Sequence, residues 1–367
     1  MSAIAVSSAR EPKSIVVTLL TPIGDALLAT PALHLLRKRF PYAKITVITY
    51  PECVGILEGN RDVHRVLTVK PKKKPGADWA QTARVFRSLR AEDFDLALHF
   101  STLGQILSTV LPVRRHVGFP MQPFWWLKRS QDQKALKRHA IDRYLEVLAP
   151  LGIALPTSPR ERIPRLALLP GDRVKPAAIL QQAGITPGDV VVSIHPGGEG
   201  FDGRKQWPPE RFASVASALI AQYQAKIVLL GGKQDVPLAE KIASLLPGAP
   251  VITAGKLNLK ETAALIQAST LFIGNDSAPL HLAAAVGTPA IGIFGPSNIE
   301  QFRPVGRPGS RLVIAHSNLP CSPCFNFVGS HPLWHVNHCQ TRACLKAISA
   351  EDILAAATHL LDTPASS

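Results

Sequence analysis

Short apolar runs alternate along the chain with longer segments in which apolar residues recur at helical spacing. The run at Ser14–Leu20 (SIVVTLL) is almost continuously apolar, which is typical of a strand buried on both faces of a parallel sheet. The next segment, Ala26–Arg39, has helical spacing, and Pro31 predicts a break or kink within it. Lys44–Thr49 predicts a second strand, so these segments together form a βαβ unit.

The same alternation continues along the chain. Further strands are predicted at Arg65–Val69, Phe94–Phe100, Arg114–Gly118 (as an edge strand), Val190–Ile194, Lys226–Leu230, Thr270–Ile273 and Ala290–Phe294. Further helices are predicted at Glu52–Glu58, Asp78–Leu89, Gly104–Leu111, Arg138–Leu151, Pro209–Gln222, Val236–Leu246, Lys260–Ala268, His281–Ala285 and Ala350–Leu361. Strands that alternate with helices favour doubly wound α/β sheets.

A segment rich in Pro, Arg and Ser, residues 152–171, separates two halves that each show this alternation. We interpret it as an interdomain connection. The predicted fold class is therefore α/β, with two Rossmann-like doubly wound domains that face a central cleft. The predicted boundaries are a disordered extension at residues 1–12, an N-terminal domain at 13–165, a C-terminal domain at 166–348, and a closing helix and tail at 349–367.

Residues 270–297 (TLFIGNDSAPLHLAAAVGTPAIGIFGPS) carry the densest candidate chemistry. They read as a strand, a polar turn, a short helix and a second strand, and Asp276 or Ser277 is a candidate cap for the helix. Backbone N–H groups at a helix N-terminus form a natural phosphate site. Asp276, Ser277 and His281 cluster there. The alternative is a capped helix with an incidental histidine.

The excess of basic over acidic residues indicates which class of partner the protein binds. The chain has 41 Lys and Arg residues against 26 Asp and Glu residues, a formal net charge of +15. Such an excess predicts an anionic partner: nucleic acid, an acidic membrane or a phosphorylated substrate. The basic loop at Lys70–Lys74 and the aromatic and basic residues at Phe124–Lys128 are candidates for that surface. The alternative for the aromatic segment is a packed loop.

Targeting signals are not evident in the sequence. No run reaches the roughly 18 apolar residues that cross a bilayer, and the first residues, MSAIAVSSAREPKS, lack the apolar core of a signal peptide. We therefore expect a cytoplasmic protein.

A glycine-rich loop opens the second half. Residues 198–203 fit the pattern G-x-G-x-x-G, but the next helix does not begin on the last glycine, so a dehydrogenase is not favoured. A loop whose backbone approaches closely, followed by Lys205, fits a diphosphate better.

Asp25 follows the first strand and has two interpretations. An aspartate at a strand–helix turn is usually an N-cap. The alternative is a general base, which removes the proton of an attacking sugar hydroxyl.

Cysteines cluster near the end of the chain. Cys321, Cys324, Cys339 and Cys344 form C-x2-C and C-x4-C pairs, with His335 and His338 nearby. This spacing predicts a small structural zinc site or a redox site, and the alternative is incidental thiols.

Taken together, these segments resemble glycosyltransferase family 9, the lipopolysaccharide heptosyltransferases. The resemblance covers about residues 14–361 and rests on motifs in order. They are Gly24–Leu28, Thr30–Leu33, His195–Gly198, Lys205-x-Trp207-Pro208 and Gly274–Ala285. The cysteine-rich tail resembles the branch of the family that adds the second heptose.

The resemblance implies a GT-B architecture in which the first domain faces the acceptor and the second binds the donor. It implies an inverting transfer of heptose from ADP-heptose to the inner core of lipopolysaccharide, with no cofactor required for catalysis. The resemblance implies that Asp25 is the catalytic base and that Lys205 contacts the donor phosphates. It implies a donor-binding turn made of Asp276, Ser277, Ala278 and His281, and donor binding by the backbone N–H groups of Gly197 and Gly198. Further candidates for donor binding are Lys233, Asp235 and Leu257.

The implied partners are the nucleotide sugar and an anionic glycolipid acceptor, which would place the enzyme on the cytoplasmic face of the inner membrane. Nucleic acid is not an expected partner, because the sequence has no recognised nucleic-acid motif. The alternatives are a family member with another nucleotide sugar or glycan acceptor, a GT-B-like sugar-nucleotide epimerase, and a non-catalytic nucleotide-sugar-binding protein.

Overall fold

The first half of the chain forms a parallel sheet. The computed structural model describes residues 11–70, 78–119, 136–198, 203–328, 331–334, 339 and 341–363. The strands of this sheet are β1 (Ser14–Leu19), β2 (Lys44–Thr49), β3 (Arg65–Thr68), β4 (Phe94–His99) and β5 (Val113–Gly118). Their order is β3-β2-β1-β4-β5, so β5 lies at an edge as predicted.

The second half forms another parallel sheet with the same winding. Its strands are β6 (Val191–His195), β7 (Lys226–Leu229), β8 (Val251–Ile252), β9 (Leu271–Asn275), β10 (Ala290–Phe294) and β11 (Leu312–His316). Their order is β11-β10-β9-β6-β7-β8. A short antiparallel pair, β12 (Phe325–Val328) and β13 (His331–Trp334), follows. The prediction of two doubly wound α/β units is thus confirmed.

Helices connect the strands. The described α-helices are Ile23–Leu28, Thr30–Arg39, Val54–Leu57, Trp79–Leu89, Thr102–Ser108, Ala140–Glu146, Pro170–Gln182, Pro209–Tyr223, Val236–Ala243, Leu259–Ala268, Ala278–Val286, Ile299–Phe302, Ala343–Lys346 and Ala350–Asp362. The last of these packs against Pro209–Tyr223 and against β9, β10 and β11.

A continuous cluster of buried apolar side chains joins the two halves. It contains Ile15 and Val17 of β1 together with Leu280 and Leu282 from the second half. The helix Ile23–Leu28 packs directly against the helix Ala278–Val286. The N-terminal ends of these two helices therefore meet between the sheets.

Several predicted elements differ from the structure in their extent. The predicted helix Ala26–Arg39 is two helices joined at Ala29, and Pro31 lies in the first turn of the second, where its missing N–H has no partner to lose. The predicted helix Arg138–Leu151 ends at Glu146 and is followed by a 3-10 turn, Ala149–Leu151. The helix Pro170–Gln182 begins inside the predicted connection and was not expected.

Some predicted features lie outside the described residues. They are residues 1–10 of the extension, residues 71–74 of the basic loop, the aromatic segment Phe124–Lys128, His335, His338 and residues 364–367. Within the described part of the chain, no helix is both long and apolar enough to cross a membrane.

Candidate active site

Asp25 lies at the point where the first sheet reverses its winding. The chain leaves β1, which has β2 on one side and β4 on the other, and enters the helix Ile23–Leu28 with Asp25 in the first turn. Ligands of open α/β sheets bind at such switch points, beyond the carboxyl ends of the strands. The N-cap position belongs to Pro22, and Asp25 does not cap the helix. The N-cap interpretation of Asp25 is therefore wrong.

The half-buried carboxylate of Asp25 is held by a tyrosine that sequence reasoning missed. The hydroxyl of Tyr144 donates a hydrogen bond of 2.9 Å to Oδ1 of Asp25. Tyr144 is buried and packs edge-on against Phe100, with ring centroids 5.5 Å apart. Burial, and then the negative charge of Asp25, raise the pKa of Tyr144 well above its usual value. Tyr144 therefore remains a donor, and Oδ2 of Asp25 remains available to a second group.

Across from Asp25, a buried asparagine organises the switch point of the second sheet, between β6 and β9. The side-chain amide of Asn275 donates to the carbonyl oxygens of Pro196 (2.7 Å) and Gly197 (3.0 Å). Its carbonyl oxygen accepts a hydrogen bond of 3.1 Å from the backbone N–H of Trp207. One side chain thus ties the residues that follow β6 to the segment that carries Lys205. We did not assign this role to Asn275 from the sequence.

Lys205 and Asp276 form a buried ion pair. Their Nζ and Oδ2 atoms are 2.6 Å apart, and both side chains are less than a tenth exposed. The ammonium also lies over the ring of Phe325, 4.5 Å from its centroid. Burial acts to raise the pKa of Asp276, but the charge and hydrogen bond of Lys205 outweigh it, so the pKa is lowered. Asp276 is therefore ionised and holds the ammonium in place.

The predicted donor turn continues into the helix Ala278–Val286. Ser277 occupies the N-cap position but does not cap the helix with its side chain. Its hydroxyl instead lies 3.2 Å from Nδ1 of His195 and donates to the carbonyl oxygen of Asn275. Asp276 does not cap the helix either. The expected side-chain cap was wrong. Pro279 has no N–H, and the N–H of Leu280 donates to the carbonyl oxygen of Ser277 at 3.1 Å. Within the described residues, the N–H of Ala278 is the first-turn donor that remains available to a ligand.

His281 and Ala278 lie where the two halves meet. A Cβ placed on Gly24 would be 3.6 Å from Cδ2 of His281 and 3.7 Å from Cα of Ala278, so Gly24 permits this close approach. Nδ1 of His281 is buried and has no hydrogen-bond partner among the described residues. Burial lowers the pKa of His281, and the nearby carboxylates of Asp276 and Asp25 offset this only in part. The imidazole is therefore neutral near pH 7.

The glycine pair is constrained at one position and open at the other. A Cβ on Gly197 would lie 2.4 Å from Oδ1 of Asp235, whereas a Cβ on Gly198 would have its nearest neighbour at 3.6 Å. Oδ2 of Asp235 accepts the backbone N–H of Gly232 at 2.8 Å and lies 3.8 Å from Nε2 of His195. Asp235 is thus buried against the glycine loop.

The other two predicted donor contacts lie further out. Lys233 is exposed. Leu257 is half-buried and packs against the core.

The cysteines come together in part. Cys324 and Cys344 are buried, Cys339 is half-buried and Cys321 is exposed. Burial raises the pKa of the Cys324 thiol to about 11, and Cys344, Cys339 and Cys321 add to this shift. In the part of the chain that the structure describes, no group of three or more His, Cys, Asp or Glu side chains is placed to hold a metal ion.

Comparisons with known proteins agree with this geometry. Residues 82–335 match the profile of glycosyltransferase family 9 (heptosyltransferase). Lipopolysaccharide heptosyltransferase 3 of Escherichia coli is 30% identical over 291 residues, which are 77% of this chain and 83% of that protein.

Solved structures share the fold. The glycosyl transferase family 9 structure from Veillonella parvula has a TM-score of 0.75 at 24% identity, covering 95% of this chain and 97% of that one. The E. coli ADP-heptose LPS heptosyltransferase II has a TM-score of 0.72 at 20% identity, covering 95% and 98%. The predicted GT-B architecture is confirmed, and the chain belongs to glycosyltransferase family 9, the heptosyltransferase family.

Proposed function

We propose that the protein transfers heptose from ADP-heptose to the inner core of lipopolysaccharide with inversion at the anomeric carbon. The observation that carries this proposal is the meeting of Asp25 with the turn Asp276–His281 across the contact at Gly24. The helix that carries Asp25 thus packs against the helix whose N-terminus follows the buried Lys205–Asp276 ion pair. The name of the E. coli relative supports the lipopolysaccharide acceptor, and that of the E. coli structural neighbour supports the ADP-heptose donor.

In the proposed reaction, Asp25 takes the proton of the attacking acceptor hydroxyl. The hydroxyl oxygen forms a bond to the anomeric carbon while the bond from that carbon to the diphosphate oxygen breaks, and ADP leaves with the electron pair. One base is enough for such a displacement. Tyr144 holds Oδ1 of Asp25, which leaves Oδ2 to receive the proton.

The negative charge that develops on the leaving diphosphate needs fixed positive partners. Lys205 is a compact positive charge that Asp276 holds at 2.6 Å. We propose that the ammonium and the backbone N–H of Ala278 bind the diphosphate, with Gly197 and Gly198 contributing backbone N–H groups. Asp276 then acts through Lys205 as a positioning residue. Lys233, Asp235 and Leu257 stay as candidates for the nucleoside end.

The positive charge of the chain supports an anionic acceptor. A formal net charge of +15 suits a phosphorylated glycolipid, because basic surface attracts the anionic cytoplasmic leaflet. We therefore propose that the enzyme meets its acceptor at the cytoplasmic face of the inner membrane.

A mass measurement tests the proposed transfer. The protein is incubated with ADP-heptose and a panel of truncated lipopolysaccharides, and we expect one acceptor to gain the mass of one heptose. Incubation with donor alone is the control, since an epimerase would convert the donor without an acceptor. If only another nucleotide sugar supports a mass gain, the donor assignment is wrong.

We propose that the chemistry needs no metal, and that Cys321, Cys324, Cys339 and Cys344 are at most a structural zinc site. Two of the thiols are buried, and thiolates are the usual ligands of structural zinc. Elemental analysis of the purified protein, beside a Cys324→Ser/Cys344→Ser variant, measures the zinc. Less than about one-tenth of an equivalent in both proteins would contradict the structural site.

A further inference from the structure

A cavity of about 770 Å³ lies away from the candidate active site. It is lined by three separate parts of the chain: His34 and residues 59–62, Arg160 and residues 163–167 of the connection, and Ala285 with residues 307–308. Ala285 is near the C-terminal end of the helix whose N-terminal end faces Asp25. At 1.5 Å per residue, the cavity wall lies about 10 Å further along this helix than Ala278. The cavity is therefore separate from the turn that adjoins Asp25.

Four arginines line this cavity. They are Arg61, Arg160, Arg165 and Arg307. All four are exposed, and none of their guanidinium groups forms an ion pair or hydrogen bond with a described residue.

Other arginines of the same region behave differently. Arg162 pairs with Asp142 at 2.7 Å, and Arg65 pairs with Glu92 at 2.6 Å. Unlike these two neighbours, the guanidinium groups that line the cavity have no carboxylate partner among the described residues.

The walls of the cavity offset this charge only in part, because the described lining residues bring one carboxylate against four guanidinium groups. The lining carboxylate, Asp62, is engaged by Nδ1 of His34 at 3.2 Å. Behind the wall, the ammonium of Lys260 is buried and makes no hydrogen bond to a described residue, although Asp172 lies 3.6 Å away. A Cβ on Gly59, a lining residue, would be 3.7 Å from that ammonium. A concave surface lined by unpaired cations has a strongly positive potential.

We infer that this cavity binds a ligand with closely spaced phosphate groups. The planar guanidinium group pairs with phosphate through two parallel hydrogen bonds, and a ligand with several phosphates would relieve the repulsion among the four arginines. Arg61 comes from the first domain, Arg165 from the connection and Arg307 from the second domain. The bound ligand therefore links the two domains at a distance from the cleft.

Calorimetric titration with inorganic tripolyphosphate tests the site. The variant Arg61→Gln/Arg165→Gln/Arg307→Gln is compared with Arg84→Gln/Arg87→Gln/Arg90→Gln, which removes the same charge from an exposed helix and its end. We expect saturable binding whose Kd rises at least tenfold in the cavity variant and less than threefold in the control. Equal weakening in both variants, or no saturable binding by the wild type, would overturn the inference. Thermal melting of both variants checks that they fold.

Competition identifies the source of the phosphate groups. A phosphorylated glycolipid dispersed in detergent is added to the protein bound to tripolyphosphate, beside the same lipid after phosphatase treatment. Displacement by the phosphorylated lipid alone assigns the site to a lipid headgroup. Retention of tripolyphosphate against both lipids assigns it to a soluble polyphosphate. Displacement by both lipids to the same extent would contradict recognition of phosphate.

Discussion

The two sheets wind in the same order, but their switch points carry different chemistry. The switch point beside β1 presents Asp25, a half-buried carboxylate with Tyr144 as its hydrogen-bond donor. The switch point between β6 and β9 presents Lys205, a buried ammonium already paired with Asp276. The first site keeps a charge that an incoming proton can neutralise. The second keeps a fixed cation whose position is held by the ionised Asp276. In the proposed mechanism, the same topology carries the base at the first switch point, which we call the first wall of the cleft. It carries the charge-stabilising group at the second switch point, the second wall.

Replacement of Asp25, the proposed base, tests the role of the first wall. We expect Asp25→Asn to lower kcat by about 10²- to 10⁴-fold, the usual contribution of a general base, while donor binding changes little. Stopped assays of product mass give kcat, and calorimetry with ADP gives the donor-side affinity. Asp93→Asn, an exposed carboxylate elsewhere in the first domain, is the control. Near-normal turnover of Asp25→Asn would show that another group takes the proton.

Replacement of Lys205, the buried cation, tests the role of the second wall. Lys205→Met leaves Asp276 buried without its partner, which costs about 3–5 kcal/mol in the free energy of unfolding. We also expect a loss of about 10²- to 10³-fold in kcat/KM, the typical effect of deleting one charge-stabilising donor. Urea unfolding and initial rates measure the two effects.

A double variant separates stability from donor binding. Lys205→Met/Asp276→Asn removes both charges, so we expect it to recover stability but not activity. The exposed pair Lys241–Glu210, also 2.6 Å apart, is the control, and Lys241→Met should cost less than about 1 kcal/mol. Recovery of activity in the double variant would contradict the role of Lys205 on the diphosphate.

Most strands of the two sheets were predictable because each is a local pattern, but β8, β11, β12 and β13 were not predicted. The partners within the site were not predictable either. Asp25 and Lys205 could be chosen from turn chemistry and resemblance. The bond from Tyr144 to Asp25 joins residues 119 positions apart, and the Lys205–Asp276 pair spans 71 positions. Because the partners are so far apart in the sequence, no local pattern of residues predicts either contact. The helix Pro170–Gln182 was missed because it is mostly exposed and has no clear apolar face.

The two glycines after β6, Gly197 and Gly198, differ in the space around them and allow a matched pair of variants. Gly197→Ala would place a Cβ 2.4 Å from Asp235, so we expect a loss of about 1–3 kcal/mol in unfolding free energy and a higher KM for the donor. Gly198→Ala has room, so we expect a change within about 0.5 kcal/mol. Both variants keep the backbone N–H groups. Thermal melts and donor KM values compare them, and equal behaviour would contradict the packing of Asp235 against Gly197.

Tyr144 tests how the carboxylate of Asp25 is positioned, and we expect its replacement to have a modest effect. Tyr144→Phe keeps the ring against Phe100 but removes the hydroxyl that donates to Asp25. Because Asp25 is half-buried, water can replace part of this bond, so we expect kcat to fall by about tenfold, equivalent to roughly 1.4 kcal/mol. The donor KM should stay within about twofold, because the hydroxyl lies on the opposite wall from Lys205.

A matched tyrosine separates this effect from a general loss of stability. The hydroxyl of Tyr223 also donates to an aspartate, Asp362, at 2.9 Å, but on the exposed surface. Tyr223→Phe should therefore leave kcat unchanged. A positioning role for Tyr144 predicts that kcat falls while the donor KM and the melting temperature hold. If Tyr144→Phe lowered both melting temperature and donor affinity while kcat stayed constant, the hydroxyl would serve only the fold, and Asp25 would be oriented by its own helix.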